Sequence, residues 1–179
     1  MLEPAVDADR DDADALTDAL ARCYVLIGRR EYSTAELRSR LERVRLDPET
    51  IDAALAIVAE QGYLDDARYA RLLAQDRRAI DGWGVERIRA RLVRAGVDRE
   101  LIDAALAGYD EPSELAAAVA LLRRRFPTPP ASNPERQRAF ALLVRQGYDS
   151  DLAYEALRRH EADAAAPTGP AVQSVVRRR

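Results

Sequence analysis

The sequence predicts an all-α fold: an elongated array, curved to the right or to the left, of three tandem three-helix repeats. Three observations predict it. A 15-residue block recurs at a fixed spacing of 51 residues without a gap, at 41–55, 92–106 and 143–157. Every copy starts with Leu (Leu41, Leu92, Leu143), carries Asp at the same place (Asp47, Asp98, Asp149) and closes on Ala-Leu. Composition agrees: hydrophobic residues are 47%, charged residues 33% and aromatics 6%, which suits thin helix contacts and several small cores. Stacked units of this kind present a long binding surface, not a closed catalytic cavity.

The segmentation follows from these signals. An acidic disordered leader is expected over 1–15, repeats over 16–64, 65–110 and 111–160, and a disordered Arg-ended tail over 161–179. The first helix, over 16–30, presents Leu16, Leu20, Cys23, Tyr24 and Ile27 at helical spacing. Ser33-Thr34-Ala35-Glu36 has the form of a capping box, so a second helix starts there. Asp47 caps a third, with Pro48 at its first position and Gly62 as its stop. In the second repeat Asp65 or Asp66 caps a helix that Gly82-Trp83-Gly84 breaks. Val85 to Ala95 forms the next, Gly96 stops it, and Asp98 opens the last. In the third, Ser113 caps a helix running to Phe126, and a stiff Pro-rich loop follows. Asn133-Pro134 starts another helix, and Asp149 opens the final one, ending near His160. One copy breaks its own pattern: where Gly96 and Gly147 end their helices, the first repeat has Arg45. A left-handed backbone there carries a cost that glycine avoids, so the first turn is expected to differ in geometry.

The net charge of −3 hides a division. Residues 1–18 hold seven acids against Arg10, a local charge of −6, leaving 27 basic and 24 acidic groups elsewhere. All 28 basic residues are arginine, each a planar fork that pairs bidentately with carboxylate or phosphate. The excess is too small for a protein that coats DNA by charge alone. A single Cys23 excludes an internal disulfide and a Cys-rich metal site, and is expected to be a buried, inert thiol. No run approaches 18 apolar residues and the acidic start is unlike a signal peptide, so a cytoplasmic protein without membrane contact is expected.

No catalytic, metal or cofactor site emerges. His160, at an expected helix end, suits the helix dipole. The repeated Asp residues start helices, and Gly82-Trp83-Gly84 is too short for a phosphate loop. The arginines are the candidates for binding. Arg77 and Arg78 precede the Gly-Trp-Gly turn, and Arg87, Arg91 and Arg94 follow it on one face, with Trp83 available to pack or stack. Arg29, Arg30, Arg123, Arg124 and Arg125 occupy the ends of the first helices in the other repeats. Intrahelical pairs such as Glu86 with Arg89 explain part of this charge. The other reading is a discontinuous stripe meeting phosphates or an acidic protein surface, and the sequence alone does not choose between the two.

Arg30-Glu31-Tyr32-Ser33-Thr34-Ala35-Glu36-Leu37, Gly62-Tyr63-Leu64-Asp65-Asp66-Ala67-Arg68-Tyr69-Ala70 and Gly82-Trp83-Gly84-Val85-Glu86-Arg87-Ile88 closely resemble, in this order, the signature blocks of the RecX family. The resemblance covers roughly 20–160. It implies a negative modulator of the RecA recombinase that binds the RecA–single-stranded DNA filament along its groove, for which a monomer is expected since groove binding requires no closed symmetry. It further implies inhibition of ATP hydrolysis, strand exchange and the SOS co-protease activity, with at most weak binding to bare DNA. Tyr32, Tyr63 and Leu64 are expected to hold repeat cores and junctions. Two other readings stand beside it: a direct DNA-binding protein of helix-turn-helix type, and a helical adaptor for an acidic protein.

Overall fold

The computed structural model describes residues 4–165, and among them every regular element is helical. The order is α1 (Pro4–Ile27), α2 (Thr34–Glu42), α3 (Pro48–Glu60), α4 (Asp66–Asp76), a π-helical turn (Arg77–Asp81), α5 (Val85–Arg94), α6 (Arg99–Leu106), α7 (Glu111–Arg125), α8 (Asn133–Gln146) and α9 (Ser150–Ala165). The chain forms two compact units, one reaching Asp110 and the other starting at Glu111. No described helix is long and apolar enough to cross a membrane.

The repeated positions are the cores. Leu41, Leu92 and Leu143 are at most 1% exposed, and Leu55, Leu106 and Leu157 are buried beside them. Within the first unit, α1–α3 close over Cys23, Leu37, Leu41, Ile51 and Val58, while α4–α6 close over Tyr69, Ile88, Leu92 and Ile102. The second unit packs α7–α9 around Leu122, Leu143, Tyr148 and Leu157. Cys23 is fully buried, and burial pushes its thiol pKa up, which keeps it protonated and unreactive.

Most caps follow from the sequence, with informative exceptions. Ser33, Asp47 and Asp65 each accept from backbone amides at the start of their helices. Asp98 precedes α6 without a side-chain cap bond. Helix α7 starts at Glu111, so Ser113 lies within its first turn instead of capping it. Ser132, not Asn133, caps α8 in a reciprocal box with Glu135. Two amides, from Ala131 and Ser132, donate to the Glu135 carboxylate and hold its pKa below the usual range.

The expected disordered leader is corrected in part: α1 begins at Pro4, so residues 4–15 are helical. The segment contains no glycine to interrupt a helix. Likewise α9 continues to Ala165, five residues beyond His160; the remainder of the expected tail, 166–179, lies outside the described residues. His160 therefore lies inside α9 and not at its end. It is 3% exposed, and its Nε2 lies 2.9 Å from the carbonyl of Phe126, just past the end of α7. That carbonyl can only accept, so the ring carries its proton on Nε2.

The three turns after the middle helices compare directly. Gly96 and Gly147 have φ of 71° and 89°, and Arg45 has φ 58°, the only described non-glycine residue at positive φ. Helix α2 stops early, and Val44 and Arg45 bond back only three residues, to Leu41 and Glu42. Arg45→Gly is expected to raise stability by about 1 kcal/mol by removing the left-handed penalty. Urea denaturation checks it; an unchanged or lower midpoint contradicts it.

Candidate protein and nucleic-acid interface

The Gly-Trp-Gly segment is built by the π-turn. The Trp83 amide donates to the Arg77 carbonyl at 3.1 Å, Gly82 takes φ 68°, and Gly84 then begins α5 in extended backbone. This places Trp83, half-buried, between two helix ends. The Arg77 and Arg87 guanidinium carbons lie 5.2 and 4.3 Å from its ring centroid, giving a cation–π cluster at the surface. Arg77 also donates to Asp81 at 2.7 Å. Arg78 turns inward instead: it donates to the Trp83 carbonyl at 3.1 Å and lies 4.8 Å from the centre of Tyr109. It pins the turn to the end of α6.

Arg91 reaches across to the first repeat. Its Nη2 donates to Glu36 Oε1 at 2.7 Å, while Arg30 donates to Glu36 Oε2 at 2.9 Å and stacks 3.6 Å over the Tyr32 ring. Burial pushes the Glu36 carboxyl pKa up, but the hydrogen bonds and charge of Arg91 and Arg30 outweigh it and leave the pKa lowered. The same junction carries a Ser33 hydroxyl donating to the Ala95 carbonyl at 2.5 Å, and the Thr34 amide donating to Asp66 at 2.8 Å. Sequence reading assigned Glu36 to a capping box. Its carboxylate instead joins two repeats.

Glu36→Gln is expected to destabilise the first unit by about 1–2 kcal/mol, discounted for partial exposure of both arginines. Because the folded-state pKa is lowered, this contribution is complete above the unfolded glutamate value of about 4.3 and is lost as pH falls through the folded value. The gap between wild type and variant should therefore close in acid. A gap that persists or widens in acid contradicts the assignment.

The predicted arginines thus separate. Arg30, Arg77 and Arg91 share the wall of a crevice of about 330 Å³ between the first two repeats. Arg94 faces a different cleft, of about 350 Å³, with Arg40 and Arg43. Arg89 pairs with Asp103 at 2.6 Å, not with Glu86 of its own helix. Arg29 is exposed at the end of α1. In the second unit Arg123 pairs with Asp163 at 2.5 Å, and Arg124 and Arg125 are exposed beside it. Leu64 and Tyr32 are core residues, whereas Tyr63 is half exposed and meets Tyr24 edge to face. Arg40 and Arg43 were missed by sequence reading; their i, i+3 spacing beside the irregular Arg45 turn was the available signal.

Comparison with known proteins decides the family. "Regulatory protein RecX" of Stenotrophomonas maltophilia is 38% identical over 138 residues, covering 76% of this chain and 83% of that protein. The chain belongs to the RecX family. The descriptions of the second and third RecX three-helix domains match residues 65–106 and 113–157. The RecX regulatory protein of Deinococcus radiodurans is 36% identical over 78% of this chain and 66% of its own length. The RecX crystal structure from Lactobacillus salivarius superposes with a TM-score of 0.70 at 15% identity, covering 84% of this chain and 99% of that one. A second RecX crystal structure gives 0.71 at 22% identity, covering 89% and 79%. These RecX neighbours share the helical fold, and the similar sequences are those of regulatory proteins.

Proposed function

We propose that this RecX protein is a negative modulator of RecA that acts as a monomer in the cytoplasm, without catalysis of its own. It binds the RecA–single-stranded DNA filament in its groove and inhibits ATP hydrolysis, strand exchange and the SOS co-protease activity. The observation that carries the reading is the family match over most of the chain to proteins named as regulators. Two features support it. The first unit presents the Trp83 cation–π cluster and the inter-repeat crevice on one body, so contacts of modest strength can be joined in one chain. Arginine forks serve either RecA carboxylates or strand phosphates, as a partner made of protein and DNA requires.

RecA's DNA-dependent ATPase, titrated with the protein, tests it. The expected result is inhibition at or below one protein per RecA; undiminished hydrolysis at equal amounts refutes it. The direct DNA-binding reading would instead show steeply salt-dependent binding to bare duplex with no effect on RecA.

A further inference from the structure

The cleft between α2 and the end of α5 carries an assignment that neither the family nor the Gly-Trp-Gly cluster supplies. Arg40, Arg43 and Arg94 line it with Ser39, next to the Glu36–Arg30 pair. Helix α2 sets Arg40 and Arg43 one turn apart, with Cβ atoms about 5–6 Å from each other. Arg94 comes from the other repeat and is held in place by the junction: Ser33 bonds Ala95, and Gly96 packs against Ala35.

Glu36 also lines the cleft, but its two carboxylate oxygens are taken by Arg30 and Arg91, which leaves these three cations without an ion-pair partner of their own. Among the described residues none forms an ion pair with Arg40, Arg43 or Arg94, and Arg94 donates only Nε, to its own helix at Ala90. All three are exposed. Arg38 of the same helix, by contrast, pairs with Asp52 at 2.5 Å. Uncompensated cations gathered on a fixed scaffold repel one another, and an anion relieves that repulsion.

A second observation points the same way. Arg45, the next arginine along, occupies a left-handed position where the other repeats use glycine, and no described residue pairs with it. A non-glycine residue held at positive φ is a pointer to function, and the Arg45 side chain is exposed. The wall supplies only small or exposed apolar groups, Ala35, Ala95 and Val93. A protein partner gains affinity from large buried anchors, whereas phosphates need only charge and fork geometry.

We propose that this cleft binds the phosphodiester backbone of a nucleic acid. The inference rests on the regulatory reading only in making that strand the one RecA coats. Arg40, Arg43 and Arg94 each take one backbone phosphate, and the Ser39 hydroxyl is available as a further donor.

Fluorescence anisotropy with labelled oligothymidylate and with a labelled duplex, across a salt series, tests it on the full chain. The Arg40→Ala/Arg43→Ala/Arg94→Ala variant is expected to bind about tenfold or more weakly at low salt, with a salt slope reduced by about 2 on the single strand. The two arms show which strand form the cleft accepts. A variant losing equal charge elsewhere, Arg71→Ala/Arg99→Ala/Arg159→Ala, is expected to keep the wild-type slope. The exposed positions leave folding intact, which circular dichroism checks. The proposal is overturned if wild type fails to bind either probe or if the two variants lose equally. It is likewise overturned if polyglutamate binding, but not DNA binding, depends on the three arginines. RecA ATPase measured in parallel separates the two readings: wild-type inhibition retained by the cleft variant sinks the cleft alone, and no wild-type inhibition sinks the regulatory reading alone.

Discussion

Gly96→Ala is expected to destabilise the first unit by about 3 kcal/mol and lower its thermal midpoint by roughly 10 °C. Two penalties combine. The residue sits at φ 71°, where a side chain is strained, and an added Cβ would stand 2.4 Å from the Cβ of Ala35. Neither atom can swing aside, because Ala35 is fixed in the first turn of α2 by the Ser33 cap. Gly62 is the internal control. It has φ 77° but nothing within 4 Å, so Gly62→Ala should cost only the left-handed term, about 1 kcal/mol. Equal losses at the two glycines would show that the inter-repeat contact is not what Gly96 protects.

Ser33→Ala is expected to cost about 2–3 kcal/mol, more than an ordinary cap. Ser33 is fully buried and does two things: its oxygen accepts from the Glu36 amide at 3.1 Å, and its hydroxyl donates to the Ala95 carbonyl. Removing it frays α2 and deprives a carbonyl in the second repeat of a buried donor. Ser132→Ala, at an exposed capping box, should cost only about 1 kcal/mol. Chemical denaturation of both variants decides; a Ser33 loss no larger than the Ser132 loss refutes the double role. Both predictions concern the same seam, which positions Arg91 on Glu36 and Arg94 over the cleft.

What could be read from sequence was periodic or local. Leu41, Leu92 and Leu143 announced buried positions by spacing, and Asp47 and Asp65 announced helix starts by side-chain chemistry. The Arg45 anomaly is visible because the other two copies carry glycine, Gly96 and Gly147, at the same register. The seam was not visible. Ser33 reads as a local cap and Glu36 as its box partner, and nothing in the linear pattern says that Ala95 and Arg91 will arrive beside them. The π-turn is not legible for a related reason: Arg78 ties it to the Trp83 carbonyl and the Tyr109 ring, contacts that no local residue preference announces. His160 was misplaced because α9 was ended too early; Glu161 and Asp163 read as tail acids but pair with Arg136 and Arg123 of neighbouring helices. The arginine stripe was legible as composition, but its division into two faces belongs to the tertiary structure.

The central claim is that the protein's target is the RecA filament and not DNA by itself. Titrating it side by side onto naked single-stranded DNA and onto preformed RecA filaments on the same DNA tests this most directly. The account predicts markedly tighter binding to the filament, weakened but not abolished by salt. Equal or tighter binding to the naked strand, with the filament adding nothing, would contradict it.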